Sequence, residues 1–109
     1  MDEMTLRQVC DTFGVSRRAI QGYEKVGLIS PSGKNERGYL LYDEETRERI
    51  REIRLLQQIG FTLREIKDII DAERDVQKAA LERQLERLRE EEKNIEVLIR
   101  EVYRLIDKS

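Results

Sequence analysis

Between Leu81 and Ile106, apolar side chains recur in alternating steps of four and three: Leu81, Leu85, Leu88, Ile95, Ile99, Val102 and Ile106. Glu92 fills the one missing position. This is the two-position seam of a heptad repeat. From Val76 to about Ile106 the segment makes a helical rod of roughly 45 Å at ~1.5 Å per residue. A rod of that length cannot fold its stripe onto the small domain that the rest of a 109-residue chain can build. Fully buried, the seven seam side chains offer at most on the order of 10–20 kcal/mol. Left in water, the stripe is an aggregation hazard. A second chain is therefore expected to cover it. Glu92 needs a basic neighbour such as Arg89 or Lys93 of a second chain, or else it marks where the seam frays. The pattern leaves the orientation of the two helices open.

The N-terminal stretch TLRQVCDTFGVSRRAIQGYEK predicts helix, tight turn, helix. Thr5 and Gln8 have the spacing of a capping box. Leu6, Val9 and Phe13 share one face of the first helix. Gly14 sits where the chain must reverse and accepts a left-handed conformation without a Cβ clash. Val15 returns to the core, Ser16 is a good N-cap and a candidate DNA contact, and Ile20 and Tyr23 give the second helix its inward face. Cys10 is small enough for a close helix crossing. Two helices joined by a short Gly-containing turn form the DNA-reading pair of many proteins, although any helical hairpin shares the spacing. Arg17, Arg18 and Gln21 lie away from Ile20 in the first turns of the second helix, where base edges and phosphates are met. Arg can bridge two acceptors on guanine, and Gln can bridge the donor–acceptor pair of adenine. A solvated polar face is the alternative.

The following segment, VGLISPSGKNERGYLLY, predicts two extended runs, one starting at Leu28–Ile29 and one at Tyr39–Tyr42. The turn-rich Pro31–Gly33 stretch separates them, so they are expected to form a hairpin or wing. Its tip carries Lys34, Asn35 and Arg37, suited to phosphate contact or simply to solubility. Asp43 is expected to cap a third helix, with Glu44 and Glu45 complementing the helix dipole. Ile53, Leu56 and Ile59 line one side of it. Arg47, Arg51 and Arg54 line another and have two outlets, the DNA backbone or ion pairs with Glu48 and Glu52. Gly60 stops this helix. Thr62 and Glu65 cap a fourth, whose buried side is Leu63, Ile66, Ile69 and Ile70, and a turn is expected across 71–75. The fold class is thus mainly α: a winged helix-turn-helix domain over 1–72 and a coiled-coil helix over 73–109.

Charged residues make up 40% of the chain and aromatic residues 6%, too polar for a large enzyme core. There is no histidine and one cysteine, which removes the commonest general base, the usual soft-metal sites and any internal disulfide. No catalytic residue, cofactor or metal is expected. No apolar run approaches membrane-spanning length and no signal peptide is evident, so a cytoplasmic protein is expected. The net charge of −2 gives no global pull toward nucleic acid, and a DNA footprint must be a local patch. A coiled-coil interaction module or an architectural DNA binder of little sequence specificity is the competing reading.

Three segments, GVSRRAIQGYEKVGLI, RGYLLYDEE and LQQIGFTLREIKDII, together resemble the MerR family of bacterial transcription regulators over about residues 4–71. The resemblance implies a homodimer held by an antiparallel coiled coil and binding a pseudo-palindromic promoter operator, with RNA polymerase at the same promoter. It implies recognition helices in successive major grooves, wings on phosphates, and DNA bent and untwisted by the protein. Tyr23, Lys25 and Tyr39 match family positions that contact the DNA backbone. Gln21, Gly22 and Leu40 replace the family's usual Arg, Tyr and Arg, implying an altered sequence preference. Gly22 inside a helix costs ~1 kcal/mol relative to alanine. The chain resembles a short form without a C-terminal effector domain, and the terminal cysteines of metal-sensing members are absent.

Overall fold

The computed structural model describes residues 3–108. The chain forms two compact units, residues 1–71 and 72–109. The first contains, in order, β1 (Met4–Thr5), α1 (Leu6–Phe13), α2 (Arg17–Lys25), β2 (Gly33–Lys34), β3 (Leu40–Tyr42), α3 (Glu44–Ile59) and α4 (Leu63–Ile69). The second is the single helix α5 (Arg74–Lys108).

Local chemistry sets most of the boundaries. The Gln8 N–H donates to Thr5 Oγ1 at 3.3 Å, and the Thr5 N–H donates to Gln8 Oε1 at 2.8 Å, completing the capping box of α1. Gly14 ends that helix at φ 64°. Ser16 Oγ accepts the Ala19 N–H at 3.0 Å and starts α2. Asp43 accepts the Thr46 N–H at 2.9 Å and starts α3. The Thr62–Glu65 box starts α4. These bonds satisfy donors that the first turn of a helix leaves without partners.

Every helix of the first unit contributes to one core. Val9, Ile20, Tyr23, Tyr42, Ile50, Ile53 and Ile66 are its fully buried side chains. Burying each is worth roughly 1.5–3 kcal/mol, so this cluster dominates the stability of the unit.

The wing differs from the expectation in two respects. Its first strand is Gly33–Lys34, paired antiparallel with β3 through Gly33↔Leu41 and Lys34↔Leu40. Leu28 and Ile29 are not in the sheet. Both are buried, and the Leu28 N–H donates to Tyr23 O at 2.9 Å. Two consecutive apolar residues that both face the core cannot follow the alternation of a half-exposed strand, and burial decides. The second difference is β1, which pairs with β3 through Met4↔Tyr42 and Thr5↔Leu41 and makes a three-stranded sheet of order β1-β3-β2. The segment is too short to show a periodicity, and Thr5 also serves as the cap of α1.

The arginine stripe of α3 is spent on fastening the fold. Arg47 Nη1 donates to Tyr42 O at 2.8 Å. Arg51 pairs with Glu48 and lies 5.2 Å over the Phe13 ring. Arg54 Nη1 reaches Gly14 O at 3.4 Å.

Helix α5 has 35 residues, about 52 Å at 1.5 Å per residue. It begins two residues before Val76. Leu81 is half-buried. Leu85, Leu88, Ile95, Ile99, Val102 and Ile106 are all at least 38% exposed. Leu98 and Leu105, also exposed, flank the seam and widen the apolar stripe over the distal half of the helix. Among the described residues, no helix is long and apolar enough to cross a membrane.

Candidate nucleic-acid interface

At 3.6 residues per turn, Arg18, Gln21 and Lys25 fall at i, i+3 and i+7 and form one stripe along α2. All three are exposed. They lie opposite Ile20 and Tyr23, whose burial fixes which way the stripe faces. Arg17, also exposed, is turned from the stripe toward the wing, the flank from which Glu24 bonds Tyr42 of β3. Gly22 occupies the other flank, where a Cβ would stand 3.9 Å from Leu63 Cδ1 of α4.

Four polar contacts hold α2 and its exit in place. Tyr42 Oη donates to Glu24 Oε1 at 2.5 Å, linking the helix to β3. Tyr23 Oη donates to Gln57 Oε1 at 2.7 Å, linking it to α3. Lys67 Nζ donates to Gly27 O at 3.0 Å, and Arg49 Nε donates to Leu28 O at 3.1 Å. Arg49 also makes a bidentate pair with Asp71 at 2.6 and 2.7 Å. That pair holds the Asp71 carboxyl below its usual range, chiefly through the hydrogen bond from Arg49. Burial pushes the Tyr23 and Tyr42 hydroxyls upward, and for Tyr42 the bond to Glu24 adds to the shift. The stripe therefore sits on a frame that needs little ordering before it meets a ligand.

The wing tip is built, not slack. Asn35 Oδ1 accepts the Arg37 N–H at 2.9 Å and the Tyr39 N–H at 3.0 Å. Gly38 turns the chain at φ 82°. Lys34, Arg37 and Tyr39 all project into solvent, with Tyr39 56% exposed.

One expected contact residue is corrected. Tyr23 is 1% exposed and its hydroxyl is bound to Gln57, so it cannot touch a duplex. It supports α2 from behind. Ser16 is exposed, but its hydroxyl oxygen already accepts the Ala19 N–H and thus serves the helix cap.

Arg7 was not among the expected residues. It is exposed in the first turn of α1 and, with Arg17, Tyr39, Gly38 and Leu40, lines a cleft of about 490 Å³ between α1, the start of α2 and the wing. The available signal was its place outside the apolar steps Leu6, Val9 and Phe13. Among the described residues, no cluster of three or more potential metal ligands is present.

Comparison with known proteins accounts for this arrangement. The profile of the MerR HTH family regulatory proteins matches residues 4–73. The transcriptional activator mta of Bacillus subtilis is 34% identical over 93% of this chain, which spans 39% of that protein's length. The mercuric resistance operon regulatory protein of Bacillus cereus is 36% identical over 58% of this chain, which spans 48% of that protein. The regulator CueR of Escherichia coli O157:H7 is 31% identical, with 87% of this chain and 73% of that one aligned. The chain thus spans half or less of the first two relatives. Among solved structures, the N-terminal part of the Bacillus subtilis multidrug transporter activator superposes with a TM-score of 0.73 at 33% identity. It covers 94% of this chain and 97% of that one. HiNmlR, a MerR family regulator lacking the sensor domain and bound to promoter DNA, shares the fold at a TM-score of 0.60 and 22% identity, covering 96% and 82% of the two chains. With its profile matched from β1 to the start of α5, and a wing and helix pair in the expected order, the chain belongs to the MerR family of helix-turn-helix regulatory proteins.

Proposed function

We propose that this protein is a DNA-binding transcription regulator that acts in the cytoplasm as a homodimer on a pseudo-palindromic promoter operator. The observation that carries this is the exposed Arg18–Gln21–Lys25 stripe on a helix held from behind by Tyr23 and Tyr42. A rigid helix of this width fits the major groove. Arg18 reads guanine through its paired N–H donors, and Gln21 reads adenine through one donor and one acceptor. Lys25, Lys34, Arg37 and Tyr39 take backbone phosphates and set the register. The exposed apolar stripe of α5 is covered by the same stripe of a second chain, which presents two readers to one duplex. The named relatives are transcription regulators, and one solved MerR family regulator is bound to promoter DNA. Gln21, Gly22 and Leu40 shift the sequence preference away from that of relatives with Arg and Tyr there. RNA polymerase is the partner at the promoter.

Selection of bound duplexes from a random pool tests this reading. A pseudo-palindrome should be enriched, with half-sites one helical turn or a multiple apart. Arg18→Ala should then weaken binding to the selected duplex by about 1–3 kcal/mol, or roughly 5- to 150-fold, and weaken binding to unrelated DNA much less. A pool with no enriched sequence would contradict specific recognition. Equal losses on both duplexes would assign Arg18 to phosphate instead.

A further inference from the structure

The cleft between α1, α2 and the wing is lined by two guanidinium-bearing residues and no acidic one. Arg7 comes from the first turn of α1 and Arg17 from the first turn of α2, while Gly38, Tyr39 and Leu40 close the wing side. Among the described residues, neither arginine has an ion-pair partner, unlike Arg49 with Asp71, Arg51 with Glu48 and Arg104 with Glu101. The contrast with α3 is informative, because there Arg47, Arg51 and Arg54 are each engaged with the protein's own carbonyls, carboxylates or rings. Two like charges lining a cleft that has no carboxylate in its walls repel each other, and the arrangement gains from an anion between them. Tyr39, more than half exposed, adds a hydroxyl donor at the rim. The α1 first turn carries no acidic side chain that would compete for that place.

We propose that this cleft seats one phosphate of the DNA backbone, with Arg7 as its anchoring residue and Arg17 and Tyr39 as its other walls. The inference rests on the regulator reading and deepens it. It assigns Arg17, which its spacing left between base edges and phosphates, to backbone anchoring, and it adds Arg7 to the footprint. A phosphate gripped at a point between the recognition helix and the wing fixes the angle at which α2 enters the groove. A guanidinium suits this place because it offers several donors to one phosphate in a planar fork.

The test uses the full chain and the duplex selected above, with an unrelated duplex of equal length beside it. Binding is followed by fluorescence anisotropy across a salt series. Arg7→Gln should weaken both duplexes by a similar factor, about 10-fold at moderate salt. The slope of log K against log salt should become shallower by about 2 for a dimer, one lost phosphate contact per chain. Arg7→Lys should recover most of the loss. In wild-type protein, replacing single phosphates by neutral methylphosphonates should reveal one position per half-site whose neutralisation costs affinity, and Arg7→Gln should be insensitive at that position. A wild-type affinity and salt slope in Arg7→Gln would overturn the proposal while leaving the regulator reading intact. So would full sensitivity of Arg7→Gln at every phosphate that matters to wild type. A loss confined to the selected duplex would make Arg7 a base reader and overturn it as well. Wild-type protein that binds neither duplex would overturn the regulator reading, and this inference with it.

Discussion

Gly22 sits mid-helix without a positive φ, and the space around its missing Cβ is open to ordinary contact with Leu63. Nothing in the packing requires glycine there. Gly22→Ala should stabilise the fold by about 0.5–1 kcal/mol through the reduced entropy of the unfolded chain, and a thermal melt should shift upward by several degrees. An unchanged or lower midpoint would show strain that the geometry does not contain. Tyr42 behaves differently, because its hydroxyl is buried against a carboxylate. An ordinary tyrosine ionises near pH 10. Burial first, and the bond to Glu24 next, raise the folded-state value above this. The folded state therefore keeps its proton where the unfolded chain gives it up. The resulting stability is fully present below about pH 10 and is lost as pH climbs from there through the folded value. Urea midpoints between pH 7 and pH 11 should stay level near neutrality and fall on the alkaline side. Tyr42→Phe should cost about 1 kcal/mol at neutral pH and make the alkaline fall shallower, with Tyr23 supplying part of what remains. An alkaline slope identical to wild type would remove Tyr42 from this account.

At the scale of elements, the caps were the most legible features. Thr5–Gln8, Gly14, Ser16, Asp43, Gly60 and Thr62–Glu65 all bound helices where the sequence places them, since each acts through its own backbone neighbours. The wing was less legible because its first strand is two residues long, and a run of that length carries no period. Leu28 and Ile29 have strand-forming side chains, but tertiary burial overrode local preference. The proposed DNA face was partly legible. Helical spacing alone turned Tyr23 inward, whereas family resemblance assigned it to DNA, and its burial supports the spacing. Arg49 could not be read from sequence, because its partners, Leu28 O and Asp71, lie 21 and 22 residues away. It joins the exit of α2 to the end of the first unit. Arg49→Met should destabilise the first unit by about 1–3 kcal/mol by leaving a buried carbonyl without its charged donor, measured by denaturant titration. The same substitution should weaken DNA binding, since Leu28 lies three residues beyond α2 and its carbonyl helps hold the exit of that helix. A variant with wild-type stability would show that water replaces the guanidinium at no cost.

For the whole molecule, the central claim is that α5 carries the seam that unites two chains and thereby matches two α2 helices to one duplex. The single chain leaves Leu85, Leu88, Ile95, Leu98, Ile99, Val102, Leu105 and Ile106 in water, a continuous apolar strip that is costly to leave uncovered. The exposed apolar strip was legible from its spacing. Its widening through Leu98 and Leu105 was not, because a strict two-position repeat ignores the flanking residues. Sedimentation equilibrium of the protein at micromolar concentration tests the claim most directly. The account predicts a mass twice that of the 13.0 kDa chain. A mass of one chain, unchanged as concentration rises, would contradict it.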